Sequence, residues 1–198
     1  MRTIIFICLI LIIGCNAPEQ EDISNSKTKT VTEYFESGSK RSEKNYLNNI
    51  EEGPYKIWYQ NGSIRSTGQY KNGELTGICT EYDTLGRRHR EIVFIDDSIK
   101  QMITYHKNGV IAEVNTSNIK TRILIGKFVF FYNTGMPQIV ADSWNGTWTE
   151  YHRNGRKKLE YDFTTPSTNE NKKFWDENGK LIKEEFWENK KLLSTKEY

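Results

Sequence analysis

Apolar and polar residues alternate along this chain in short runs, and turn residues interrupt the runs at a near-constant interval. The runs "YKIWY", "GKFVFFY" and "GTWTEY" are rich in rings and β-branched residues, and each leads into a turn closed by Gly. Such a pattern, at period two and bounded by Gly and Asn, predicts strands rather than helices. Aligned on the closing Gly, the chain yields a series of aromatic-x-x-x-Gly pairs. They are Tyr34 with Gly38, Trp58 with Gly62, Tyr82 with Gly86, Tyr105 with Gly109, Phe131 with Gly135, Tyr151 with Gly155, and Trp175 with Gly179. Successive Gly residues lie 24, 24, 23, 26, 20 and 24 positions apart. So steady a period marks a repeat array.

Each unit carries the chemistry of a hairpin. Asn precedes the closing Gly at Asn61, Asn108, Asn154 and Asn178. Both residues tolerate positive φ, which predicts a type I′ turn there. A second turn, as in "KNGELTG", leads into the next unit. A further Gly stands five residues before the ring at Gly53, Gly77, Gly126 and Gly146, read as a place where a neighbouring ring or backbone comes close. The long step around "NTSNIKTRILIG" predicts a lengthened loop, and the short step at "MPQIVADSWNG" a trimmed strand pair. The expected fold is all-β: an elongated antiparallel meander of about seven tandem hairpins over residues 32–198, in which neighbours stabilise one another. Rings recurring at one register then form a ladder, with Trp58 and Tyr59 on opposite faces.

The stretch "GPYKIWYQNGSIRSTGQYKNGELTG" resembles the MORN-variant repeat of bacterial YwqK-like proteins, and the similarity covers roughly residues 33 to 190. The resemblance implies hairpins laid side by side and a binding or structural module. Some proteins of this kind carry an antitoxin label, so neutralisation of a toxin is the alternative role that the resemblance implies.

The first fifteen residues, "MRTIIFICLILIIGC", place Arg2 before an apolar run from Ile4 to Ile13. The run is shorter than the roughly 20 residues a spanning helix needs, and it fits the helical core of an export signal over residues 1–14. Gly14-Cys15 resembles a bacterial lipobox, which implies that Cys15 is lipidated and becomes the mature N-terminus. Two acyl chains, at about 0.8 kcal/mol per buried methylene, would hold the protein on a membrane. The polar stretch that follows reads as a flexible tether, so residues 15–31 are expected to be lipidated Cys plus tether. The expected location is the bacterial cell envelope, at the outer membrane, on its periplasmic face or at the cell surface.

Composition narrows the function classes. A net charge of +2 gives no electrostatic case for nucleic acid. Aromatic residues at 13% argue against disorder. With Cys8 in the leader and Cys15 lipidated, Cys79 stands alone and reads as a small buried side chain. His106 and His152 occupy one repeat position, directly after the ring, where Tyr59, Tyr132, Asp83 and Asp176 stand in other units. Two units of sheet separate the two His, beyond about 15 Å, too far for shared metal ligation; they read as solvent-facing. The adjacent acids Glu51-Glu52, Asp96-Asp97 and Glu184-Glu185 would point to opposite faces and so make poor acid–base pairs. No nucleophile-elbow, zinc-protease or phosphate-loop pattern is present. The basic runs "GRRHR" and "HRNGRKK" read as edge protection or as contacts for an anionic lipid or polysaccharide, and the rings of "FFYNTGMP" as packing residues or a contact patch. The expectation is a non-enzymatic module with no cofactor or metal, attached to the membrane by lipid and binding a protein or glycan partner.

Overall fold

The computed structural model describes residues 27–95, 98–162 and 169–198. The expected export signal, Cys15 and most of the expected tether lie outside the described residues, as do Asp96, Asp97 and Phe163. The remainder forms fifteen strands. The first five are β1 (Thr28–Tyr34), β2 (Lys40–Leu47), β3 (Ile50–Trp58), β4 (Ile64–Lys71) and β5 (Glu74–Tyr82). Then come β6 (Arg88–Phe94), β7 (Ile99–Tyr105), β8 (Ile111–Asn118), β9 (Lys127–Phe131) and β10 (Pro137–Asp142). The series closes with β11 (Thr147–Tyr151), β12 (Lys157–Asp162), β13 (Asn169–Trp175), β14 (Leu181–Glu188) and β15 (Lys191–Glu197). They make one sheet in which spatial order equals chain order, every neighbour antiparallel. The all-β meander of hairpins is therefore the observed fold. The trimmed strands are β9 to β11, and the lengthened loop joins β8 to β9.

Strand β1 starts at Thr28, inside the stretch whose polarity reads as tether. Its residues alternate Thr with Lys, Val and Glu, and an edge strand needs β-branched shape more than apolarity. All seven pair with β2, from Thr28↔Leu47 to Tyr34↔Lys40.

The two ends of the sheet use different turns. At the ring end, the residue after each ring donates its N–H to the residue four positions on, and Gly donates back to it, as in Tyr59 N→Ser63 O and Gly62 N→Tyr59 O. Among these turn residues only Gly has positive φ, +85° at Gly62. The pairing slips by one residue at the ring, between Ile57 and Trp58 for instance. This is a type I turn closed by a Gly bulge, not the type I′ turn that Asn-Gly predicts. The bulge confines the left-handed residue to Gly, which frees the Asn side chain: Asn61 Oδ1 accepts from Ser63 N at 3.0 Å. Two-residue loops with both φ values positive, as type I′ requires, occur at the opposite end, at Asn48-Asn49, Asn72-Gly73 and Asn189-Lys190.

Gly53 and Gly77 are also explained by backbone conformation, with φ of +89° and +64°. A Cβ on Gly77 would meet nothing within 4 Å, and one on Gly53 only Asn45 Cβ at 3.9 Å. The close approach expected there occurs at Gly126, against the Trp144 ring. It also occurs at Gly68, whose φ is ordinary.

With a single layer, little is fully buried. Tyr55, Cys79 and Ala141 are the buried hydrophobic residues among those described. One face carries the packed rings: Tyr55 with Tyr70 at 5.1 Å between centroids, Phe128 with Trp148 at 6.1 Å, and Trp148 with Tyr161 at 6.0 Å. The other face carries the repeat rings.

Candidate functional site

The ring end is held together by side chains that reach from one unit to the next. Tyr59 Oη donates to Tyr82 O at 2.8 Å, and Tyr132 Oη to Tyr151 O at 2.8 Å. His106 Nε2 bonds Phe131 O at 2.8 Å and His152 Nε2 bonds Trp175 O at 2.9 Å. A carbonyl only accepts, so each ring carries its proton on Nε2. The acceptor is always the carbonyl of the next repeat ring. These His residues are therefore not solvent-facing positions, as strand alternation alone implies; they are half-buried braces between hairpins. Metal ligation is replaced by a backbone contact, and no cluster of metal-binding residues occurs among the described residues.

A second brace runs beside the first. Asn61 Nδ2 donates to Thr84 O at 3.1 Å, Asn108 Nδ2 to Asn133 O at 2.8 Å, and Asn154 Nδ2 to Glu177 O at 2.7 Å. Asp83 and Asp176 break the pattern by folding onto their own turns. Asp83 Oδ1 accepts from Leu85 N and Arg87 N, and Asp176 Oδ1 from Asn178 N and Lys180 N. Those N–H bonds, led by the ones from Arg87 and Lys180, hold both carboxyls below the usual aspartate range.

The repeat rings sit beneath cations supplied by the preceding unit. Lys40 Nζ lies 5.6 Å from the Trp58 ring centroid, Arg88 Cζ 4.3 Å from Tyr105, and Lys157 Nζ 5.6 Å from Trp175. Each cation stands two residues after a turn Gly and pairs with a Glu three residues further on. Lys40 with Glu43 and Arg88 with Glu91 are both at 2.8 Å, and Lys157 pairs likewise with Glu160. Partial burial pushes the Glu91 carboxyl up, but hydrogen bonds from Tyr105 and Arg88 outweigh it and leave it lowered. Ile64, Ile111 and Leu181 occupy the cation position in other units. The face therefore presents rings, paired charges and aliphatic side chains in alternation.

Of the positions read as repeat landmarks, Trp58, Tyr82, Tyr105, Phe131, Tyr151 and Trp175 are half-buried in one column, while Tyr34 on the first strand is 58% exposed. Gly38, Gly62, Gly86, Gly109, Gly135, Gly155 and Gly179 all close turns with positive φ. Tyr198 continues the column: its Oη donates to Glu184 Oε2 at 2.6 Å, as Tyr105 Oη does to Glu91 Oε2 at 2.6 Å. The spaced "KRSE", "RHRE" and "KKLE" were the readable signal for the cation–carboxylate comb.

The basic runs are not open patches. Arg87 pairs with Asp83, Arg88 with Glu91 and Arg90 with Glu81, while Arg153 lies over the Tyr132 ring. Glu184 and Glu185 do diverge, toward Tyr198 and Trp187 respectively.

A fold of stacked hairpins braced at one end by ring-x-x-x-Gly turns is what the family comparison addresses. Residues 27–48, 51–72 and 171–189 match the MORN repeat variant. These three segments are similar to MORN repeats. No curated protein matches the chain. The matched MORN segments cover β1 with β2, β3 with β4, and most of β13 with β14. The intervening hairpins share their turn geometry, so the architecture repeats beyond the matched segments. The matched segments suggest a binding or scaffolding repeat module.

Proposed function

We propose that the protein is a lipid-anchored, non-enzymatic binding module of a bacterial cell envelope, which holds a protein or glycan partner along the face bearing the repeat rings. The observation that carries this reading is the comb of Lys40 over Trp58, Arg88 over Tyr105 and Lys157 over Trp175. These rings lie on β3, β7 and β13, so at about 4.8 Å per strand they stand roughly 19 and 29 Å apart along the sheet. An extended partner, stacking on rings and bonding to paired charges, matches such spacing better than a compact ligand does. Cys15 supplies the anchor.

Two measurements test the two halves of the proposal. Affinity capture from solubilised envelopes should recover a partner with the native chain and lose it when Trp58→Ala and Trp175→Ala are combined. Equal capture by both would overturn the binding face. Separately, Cys15→Ala should move the exported protein from the membrane to the soluble fraction, and retention on the membrane would overturn the lipid anchor.

A further inference from the structure

We propose that the outer edge of β1 pairs with the β1 edge of a second copy of this chain, joining two sheets about a two-fold axis through Val31. Among the described residues no strand lies on that side of β1, which pairs only with β2. An open edge offers a row of backbone donors and acceptors, and proteins usually blunt it with Pro, bulges or surplus charge. Strand β1, "TKTVTEY", has no Pro, and its single bulge falls at its last residue, between Glu33 and Tyr34.

Its sequence is complementary to itself when reversed. Centring an antiparallel pair on Val31 sets Lys29 opposite Glu33 of the other copy, and Thr30 opposite Thr32. Val31 meets Val31, and Thr28 meets Tyr34. Alternation puts Lys29, Val31 and Glu33 on one face, so the two ion pairs flank the Val contact there. The Thr–Thr pairs share the opposite face. Opposed charges and Thr–Thr contacts are both favourable cross-strand pairs. Lys29 lies over the Tyr46 ring at 5.4 Å and donates to Asn49 Oδ1 at 2.9 Å, and Glu33 Oε2 accepts from Ser42 Oγ at 2.9 Å; both side chains now lean on the β2 side and swing outward to form the ion pairs. Val31 is 37% exposed and Tyr34 58%.

The other edge is less self-complementary, although its reversal does set Lys191 opposite Glu197. Reversing β15, "KLLSTKE", about Ser194 sets Leu192 opposite Lys196, and Lys196 Nζ is drawn over the Tyr198 ring at 4.4 Å. The interface is therefore isologous and specific to the β1 edge.

The test uses the full chain in isolated envelopes. Directly opposed residues in an antiparallel pair have Cα atoms about 4.5–5.5 Å apart, within disulfide reach. Under oxidation, Val31→Cys should form a covalent dimer that the unmodified chain does not. A second pair, Thr30→Cys co-expressed with Thr32→Cys, reports the same register from the opposite face. Lys29→Glu alone, added to Val31→Cys, should lower the dimer fraction about tenfold, and Lys29→Glu with Glu33→Lys in one chain should restore it. Absence of a dimer from both cysteine sets would overturn the proposal. So would indifference to charge reversal, or equal cross-linking through Ser194→Cys at the other edge.

Discussion

Gly68 faces Tyr55 directly across β3 and β4, so closely that a Cβ on Gly68 would lie 2.7 Å from Tyr55 Cε1 and 2.6 Å from Cys79 Sγ. Tyr55 and Cys79 are two of the three buried hydrophobic residues described. The most enclosed point of the sheet is thus built around a missing side chain. Gly68→Ala should destabilise the protein by about 1–3 kcal/mol through overpacking, measured by urea unfolding. Cys79→Ala should reduce that cost in a double-mutant cycle. A Gly68→Ala variant as stable as the parent would show that the ring and thiol move aside freely.

The braces at the ring end can be removed one at a time. Tyr59→Phe keeps the ring and deletes only the bond to Tyr82 O, so it should cost about 0.5–1.5 kcal/mol. The same substitution at Tyr82, whose hydroxyl takes no part in the brace series, is the comparison in the same unfolding assay. An equal effect at both positions would sink the brace interpretation.

Alkaline pH should unfold this sheet earlier than its size suggests. Burial raises the phenols of Tyr55, Tyr70, Tyr105 and Tyr161 above the ordinary tyrosine range, and a hydrogen bond to Glu51 raises the Lys44 ammonium. A group that holds its proton more tightly when folded stabilises fully below its unfolded pKa and loses that contribution as pH rises through the folded value. Stability should therefore fall above about pH 10, as read from thermal melts between neutral and strongly alkaline buffer. Tyr55→Phe should flatten the alkaline limb, and an unchanged limb would count against burial as the cause.

One turn is open to improvement. Lys190 adopts a φ of +65°, in the left-handed region that costs a non-Gly residue about 1–2 kcal/mol. Lys190→Gly would create the Asn-Gly pair that type I′ turns prefer. Greater chain freedom in the unfolded state offsets part of the gain, leaving a stabilisation of about 0.5–1 kcal/mol. Slower hydrogen exchange in β14 and β15 would report it, and faster exchange would contradict it.

Much of the fold was legible in the residues themselves. Rings at period two and Gly at a near-constant interval are local signals, and they place the hairpins and their number. What one hairpin cannot reveal is what its side chains do to the next. His106 looks like any outward strand residue until the carbonyl of Phe131, twenty-five residues later, lies against it. Turn type was misjudged for a related reason: Asn-Gly is compatible with two hairpin geometries, and the bulge at the ring selects between them. Gly68 escaped notice because its role is steric rather than conformational, and it depends on Tyr55 and Cys79 arriving from either side. The cation comb is periodic in the residues, but a Lys or Arg three positions before a Glu does not show which ring it covers until the strands are paired.

Strand β8 registers against β9 through only Glu113↔Phe130 and Val114↔Val129, with a lone bridge at Ser117↔Leu124 beyond. Tyr34, Trp58, Tyr82 and Tyr105 lie before this narrow seam, and Phe131, Tyr151, Trp175 and Tyr198 after it. In a quasi-one-dimensional array, force and cooperativity pass only between neighbours. The His106 and Asn108 bonds to Phe131 O and Asn133 O cross the seam at its turn end and act as a hinge pin between two leaves. Strands β12 and β13 likewise register through Leu159↔Phe174 and Glu160↔Lys173, so tension across the sheet would act first on these two seams, and a partner lying across them would work as a splint.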